Sequence, residues 1–519
     1  MAPELGPPRP HRAPRESNVL TIFLPTPKPT GWEELAAADA GGGAAHPLSV
    51  SQEHLWFLDR LAPARPVYHE LIAIEHLGRL DVAALTAALE TVISRHEAWR
   101  STFRTDGASG EPIMVVGPVV ALELGVLDLG HLSEDDAEDQ AAAWMAEVSG
   151  HPYRLDTGPL VRPHLVRLPA DRDRLYLAMH HIVFDGVSVY RTVLRQVATA
   201  YEAAAAGLAI PLGDPQATYE DFARWERRWI DGDKAQRRVD WWQQHLAGAE
   251  ALELPLDRPR PQRRSWSGNT VTWSIEAPVV ASLKAIATAQ RASLFQVLAS
   301  AFAAVLACYS GQDEVLFATA ADTRQRPEHR DVVGYCLTPL LLRVALDDDP
   351  TFAALVGRVR DELLDGLDHL VPFERVVRAV GPGRAGDSTP LFSAMIILEP
   401  PASSPDPAWQ PVSIEGRVSD AMGASKFHLE MGLDERPDGR LAARLIYDTD
   451  LWDRWRAEAF AAQWREVLHS VVEQPDLSVS DLARADACER RRLAAVNATD
   501  CPLPPRPFPR PHRATGPPQ

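Results

Sequence analysis

The sequence predicts an α/β (α+β) chain in two halves of similar strand–helix content, joined near 230–265. Three observations carry this. From residue 48 to residue 201, short apolar runs of strand length alternate with apolar stripes at helical spacing. The alternation starts again at residue 270 and continues to 472. Between the two stretches, residues 253–265 set Pro255, Pro259 and Pro261 among charges, the composition of a connector.

Taken in order, residues 1–45 are rich in Pro, Ala and Gly and are expected to form a disordered leader. The spacing predicts a helix over 48–58, started by Ser49 and Ser51, with Leu55, Trp56 and Leu58 on one face. A strand follows at 71–76. Asp81 is placed to cap a helix carrying Leu85, Leu89 and Val92 on one side. Strands are expected at 112–120, 121–127, 160–168 and 174–179, with a helix at 135–149. Val189, Val193, Val197 and Tyr201 mark another helix, and residues 215–250 lead into a Trp- and Arg-rich one holding Trp241 and Trp242. The second half predicts strands at 270–275, 315–320, 340–344, 393–398 and 441–447, and helices at 279–290, 352–364 and 455–472. Residues 294–308 are almost wholly apolar, so that helix is expected deep in the core. The Pro- and Arg-rich end, 498–519, is expected to be disordered.

Composition narrows the function classes. At 45% hydrophobic and 24% charged the chain is ordinary for a globular protein. No apolar run approaches the roughly 18 residues that span a bilayer, and residues 1–15 lack a signal-peptide apolar region. Four cysteines lie far apart, with no disulfide framework and no metal-ligand spacing. The expected setting is cytoplasmic and reducing. A net charge of −18 argues against nucleic acid or an anionic membrane as partner.

The chemistry concentrates in residues 179–188, Met-His-His-Ile-Val-Phe-Asp-Gly-Val-Ser. The apolar run before it has strand character and the spacing after it is helical, so the histidines fall where a strand gives way to a loop. A neutral imidazole at His181 can take a proton from an amine, hydroxyl or thiol attacking a carbonyl. No nucleophilic Ser or Cys is needed if the acyl group arrives as a thioester. Asp185 could orient a histidine, as in a triad, or be held by an arginine to shape the loop. Gly186 permits close approach of backbone N–H groups to an oxyanion. Two plainer alternatives stand beside this. Paired histidines at a strand end can simply pack and hydrogen-bond. His180, His181 and Asp185 could also be metal ligands, although adjacent strand residues point to opposite faces.

His180-His181-Ile182-Val183-Phe184-Asp185-Gly186 resembles the signature of nonribosomal peptide synthetase condensation domains, of the chloramphenicol-acetyltransferase-like superfamily. Six further segments resemble that family's motifs in the same order. They are Ser49-Val50-Ser51-Gln52-Glu53-His54-Leu55-Trp56, residues 95–103, residues 219–225, residues 333–343, Val371-Pro372-Phe373-Glu374 and Ser388-Thr389-Pro390-Leu391-Phe392. The resemblance covers roughly 46–497. It departs from the family at Ser51 and His54, at Thr338-Pro339 and at His428.

The resemblance implies two chloramphenicol-acetyltransferase-like lobes in a V-shaped pseudo-dimer with a central tunnel. It places an N-terminal lobe at 46–228, a linker at 229–265 and a C-terminal lobe at 266–497. It implies His181 as the catalytic base, with Gly186 beside it, and His180 shaping the loop. Asp185 would pair with Arg324. Thr338 and His428, where the pattern breaks, are expected on the acceptor side. Trp56, Trp99, Phe103, Trp225 and Phe373 are expected to pack. The implied activity is a stand-alone condensation enzyme, an acyltransferase moving a carrier-bound acyl or aminoacyl thioester to an amine or alcohol, forming an amide or ester. The phosphopantetheine arm belongs to partner carrier proteins, no cofactor or metal is bound by the chain itself, and a monomer is expected. The alternatives are an epimerisation-type domain, which Asp185-Gly186-Val187-Ser188 also resembles, a non-catalytic carrier-docking or recruitment module, and an acyl-CoA acyltransferase of the superfamily.

Overall fold

The computed structural model describes residues 45–61, 66–119, 121–381, 391–400, 408–412 and 423–482. The expected leader and tail, and Ser388-Thr389-Pro390 of the last motif, lie outside these residues. The strands in chain order are β1 (Ala45–Pro47), β2 (His69–Leu77), β3 (Ser101–Thr105), β4 (Pro112–Val116), β5 (Gly125–Asp128), β6 (Val161–Leu168) and β7 (Arg172–His180). They continue with β8 (Gly268–Ile275), β9 (Glu314–Asp322), β10 (Leu337–Ala345), β11 (Ala394–Leu398), β12 (Trp409–Val412), β13 (Leu429–Glu435) and β14 (Leu441–Asp448).

They form three sheets. One has the order β12-β2-β7-β6-β5, a second β10-β9-β11-β13-β14-β8, and a small third β1-β4-β3. In the first, β2 and β7 run antiparallel with His69 opposite His180. In the second, β11 is parallel to both of its neighbours, β9 and β13. The short β12, which the chain's periodicity does not announce, comes from the second half yet pairs with β2 of the first sheet, Trp409 opposite His76. Its four residues are too few to show a period.

Helices pack on both large sheets. Ala137, Ala141 and Met145 of the helix Glu134–Gly150 pack on Leu71, Val166, Leu168 and Tyr176. The apolar helix Leu294–Ser310 is the centre of the larger core, with Phe302 against Phe317 and Phe460. Its Ser293 and Gln296 form a capping box, and Gly311 closes it in the left-handed conformation. The connecting segment 229–265 is more than a tether. It carries the helix Asp233–His245, whose Trp242 is buried among Leu316, Leu340, Val371 and Phe373, with its Nε1–H donating to the His369 carbonyl at 2.9 Å. Among the described residues no single helix is long and apolar enough to cross a membrane.

Candidate active site

The strand β7 ends at His180, the chain turns through His181–Val183, and Asp185 caps a short helix, Gly186–Ser188. The Asp185 Oδ1 accepts from Ser188 N–H at 2.7 Å while Ser188 Oγ accepts from Asp185 N–H at 3.1 Å. This reciprocal cap fixes the loop locally. The other carboxylate oxygen reaches across to the second half of the chain. Asp185 Oδ2 accepts from Arg324 Nη2 at 2.9 Å and from Cys336 N–H at 2.8 Å. Both side chains of this pair are buried, Arg324 at 1% and Asp185 at 0% exposure. Burial opposes the Arg324 charge, but Asp185 and Asp322 outweigh it and raise its pKa above the ordinary value. Asp185 is therefore committed to Arg324, Cys336 and its own helix, and is not an orienting acid for a histidine.

The two histidines point to different places, as neighbours at a strand end do. His180 is buried, accepts from Ile182 N–H at its Nδ1 and holds its Nε2 3.8 Å from Asp59. Burial drives its pKa well down, so it is neutral. His181 faces a cavity of about 230 Å³ lined from both large sheets, with β2 on one side and β8, β11, β13 and β14 on the other. Its Nδ1 lies 3.0 Å from the Phe184 carbonyl, which can only accept, so the proton is on Nδ1 and the Nε2 lone pair is free. The ring stacks on Phe184 and meets Tyr335 edge-on, each at 4.9 Å between centroids. Burial, and then the Lys426 charge, lower the His181 pKa. His180, His181 and Asp185 thus diverge, and no group of three or more metal-ligating side chains is assembled among the described residues.

Several of the motif segments are hydrogen-bonded to this loop or to one another. Gln52 Nε2 donates to the Ile182 carbonyl at 2.9 Å. Ser49 Oγ and Tyr219 Oη are 2.9 Å apart, and Tyr219 Oη donates to the Tyr335 carbonyl at 2.6 Å. His96 Nε2 meets Gln196 Oε1 at 2.7 Å, behind the loop. Gly334, at φ +150°, lies against the Tyr219 ring, where a Cβ would fall 2.0 Å from Cδ2. Gly334→Ala is expected to cost on the order of 2–3 kcal/mol, read as a lower urea midpoint, because neither the ring nor the backbone has room to yield.

Of the packing expectations, Trp99, Phe103 and Phe373 are buried, while Trp56 and Trp225 are half-buried, Trp56 beneath Arg60. Two of the candidate site residues lie off this cavity wall. Thr338 is fully buried, and its Oγ1 accepts from Phe373 N–H at 2.8 Å. On β10 its neighbour Leu337 takes the cavity face, and strand alternation turns Thr338 away. His428 is also absent from the cavity wall: it stands just before the first residue of β13, and its Nε2 lies 3.4 Å from Arg260 Nη1. Thr338 holds one motif to another, and His428 meets Arg260 away from the site.

Sequence reasoning missed the charged residues facing His181. Lys426 is paired with Glu70 of β2, and Glu70 and Glu430 outweigh burial to raise its pKa. Arg444 Nη2 donates to Glu399 at 3.0 Å and Arg444 Nη1 to Asp434 at 3.1 Å. Gly186 sits against this group, where a Cβ would fall 2.8 Å from Glu399 Oε2. The signal was present in 429–435, where Leu429, Met431 and Leu433 alternate with Glu430, Gly432 and Asp434, a strand with one polar face.

Fold and site define a mixed helix–sheet protein with a histidine-bearing loop on a cavity shared by two sheets. The chain belongs to the condensation-domain family, whose model, described as Condensation domain, matches residues 44–494. Malpinin synthetase of Mortierella alpina is 35% identical over 435 residues, 83% of this chain and 6% of that protein. The chain thus spans a small part of that relative's length. The X-domain from teicoplanin biosynthesis is 27% identical with a TM-score of 0.71, covering 84% of this chain and 96% of that one. The same X-domain has been solved in complex with OxyB. The first condensation domain of the calcium-dependent antibiotic synthetase, with a substrate analogue, shares the fold at 22% identity and a TM-score of 0.73, over 84% of this chain and 99% of that one.

Proposed function

We propose that this chain is a condensation catalyst that transfers an acyl or aminoacyl group from a carrier-protein thioester to an amine or alcohol. The observation that carries the reading is the free Nε2 of a neutral His181 on the cavity wall, with Nδ1–H tied to Phe184. In this reading Nε2 takes the proton of the acceptor as its nitrogen or oxygen adds to the thioester carbonyl. The tetrahedral intermediate then collapses, the C–S bond breaks, and the phosphopantetheine sulfur leaves with the proton returned from His181. Gly186 keeps the wall open beside the reacting carbonyl. His180 and the Asp185–Arg324 pair hold the loop. The cavity side of β2 and β13 would receive the two substrates, delivered by a donor carrier and by either an acceptor carrier or a diffusible small molecule.

The test is intact-protein mass spectrometry of loaded donor carriers incubated with the chain and a panel of amines and alcohols. Loss of the acyl mass with formation of an amide or ester supports the reading, and inert loaded carriers across the panel would sink it. The pH profile adds a signature. The neutral imidazole is the base, and burial disfavours the imidazolium. The acid limb of kcat/KM is therefore expected below the ordinary histidine value of 6.5, with activity retained as pH rises above it.

A second reading is a recruitment module without turnover. It is favoured by the likeness to the teicoplanin X-domain. Tight carrier binding with no transfer over the same panel would select it.

A further inference from the structure

The cavity wall opposite His181 carries more charge than acyl transfer uses. Five carboxylate side chains and three Lys or Arg side chains line it. Lys426 is taken up by Glu70. Arg444 is shared between Glu399 and Asp434, one guanidinium for two carboxylates. Glu430 differs from the rest. It lies on the cavity face of β13, and only 6% of its surface is exposed. Among the described residues its carboxylate has neither a hydrogen bond nor an ion pair. Lys426 is near enough to draw its pKa down, but burial prevails and raises it. Burial likewise raises that of Glu399, against the pull of Arg444.

An unpaired, buried carboxylate is costly, and the cost falls when it takes up a proton or when a cation reaches it. Both neighbouring cations are already engaged by other carboxylates. An anionic substrate group would meet the surplus of carboxylates and be repelled. A neutral apolar group would leave Glu430 desolvated with no partner. A compact cation on a short stem satisfies Glu430, whereas Glu399, four residues further along the neighbouring strand, already has Arg444.

We propose that the cavity receives a substrate bearing a cationic side group, a primary ammonium on a short alkyl stem as in ornithine, with Glu430 as its partner. This rests on the condensation reading for the route by which the group enters. Donor and acceptor both meet at this cavity, and the recognising chemistry is the same for either.

The test uses the full chain and two pantetheine amides, stable analogues of the thioester, one carrying ornithine and one norleucine. Both keep the α-amino group, so only the side-chain charge differs. Isothermal calorimetry is expected to show the ornithine compound bound at least about tenfold more tightly. In Glu430→Gln the preference should shrink to about twofold or less, and in Glu399→Gln, further along the neighbouring strand, it should persist. Thermal unfolding checks that both variants fold; Glu430→Gln removes an unpaired buried charge and is expected to be at least as stable as the wild type.

Equal affinity for the two compounds overturns the assignment and leaves the condensation reading standing, since that is decided by turnover of loaded carriers. A preference that persists undiminished in Glu430→Gln overturns it too. So does failure of the wild type to bind either compound, and the turnover assay then shows whether the condensation reading falls with it.

Discussion

Replacing His181 with alanine is expected to reduce turnover of a loaded donor carrier by about 10²–10⁴-fold, the range for loss of a general base. The ring contributes little to the fold. It is half-buried, its one hydrogen bond is to the Phe184 carbonyl, and its ring contacts are with Phe184 and Tyr335. The variant should therefore unfold close to the wild-type midpoint and bind the donor carrier with unchanged affinity. His181→Asn is the sharper control, since its amide N–H can still donate to Phe184 while its side chain cannot accept a proton. Wild-type rates in either variant, measured by product mass in single turnover, would remove His181 from the chemistry.

Asp185→Ala is expected to destabilise the chain by about 3–5 kcal/mol, the usual consequence of leaving one partner of a buried ion pair behind. Three donors lose their acceptor together: Arg324 Nη2, Cys336 N–H and Ser188 N–H. Arg324 retains Asp322 at 2.9 Å and the Val332 carbonyl at 3.0 Å, which keeps the loss within that range. The urea midpoint measures it. Asp185→Ala combined with Arg324→Ala should cost less than the two separate losses added, because the double variant leaves no buried charge unpaired. Strict additivity would mean that the pair is not coupled. Activity should fall with stability in Asp185→Ala, and cooling or a stabilising osmolyte should restore part of it. The His181 variants should show no such rescue.

Much of the site is readable along the chain because it is contiguous. Strand, paired histidines, aspartate cap and helix follow one another over about twenty residues, so periodicity and capping chemistry locate the loop before any fold is known. The Asp185–Arg324 pair is 139 positions apart and became legible through the family resemblance, not through spacing. The charged wall is a different case. Glu70, Arg444 and the pair Lys426 and Glu430 stand in three separate segments, and each residue alone looks like an ordinary polar position on a strand or loop. Thr338 shows what a motif position does not carry. A departure from a family's motif marks a position, but the face on which its side chain lies is set by strand register, and one residue's shift sends it to the other side of the sheet.

The features fixed along the chain are therefore local: the strand–helix alternation of both halves, the apolar helix at their larger core, the turn that presents His181 and the helix cap at Asp185. Each depends on interactions within a few residues, where spacing carries the physics. Folding in three dimensions settled the rest: which sheet β12 joins, which motif segment bonds to which around the loop, and that a carboxylate without a partner faces His181's cavity. Those are matters of pairing between distant segments, governed by register and burial, and no window along the chain contains both members of the pair.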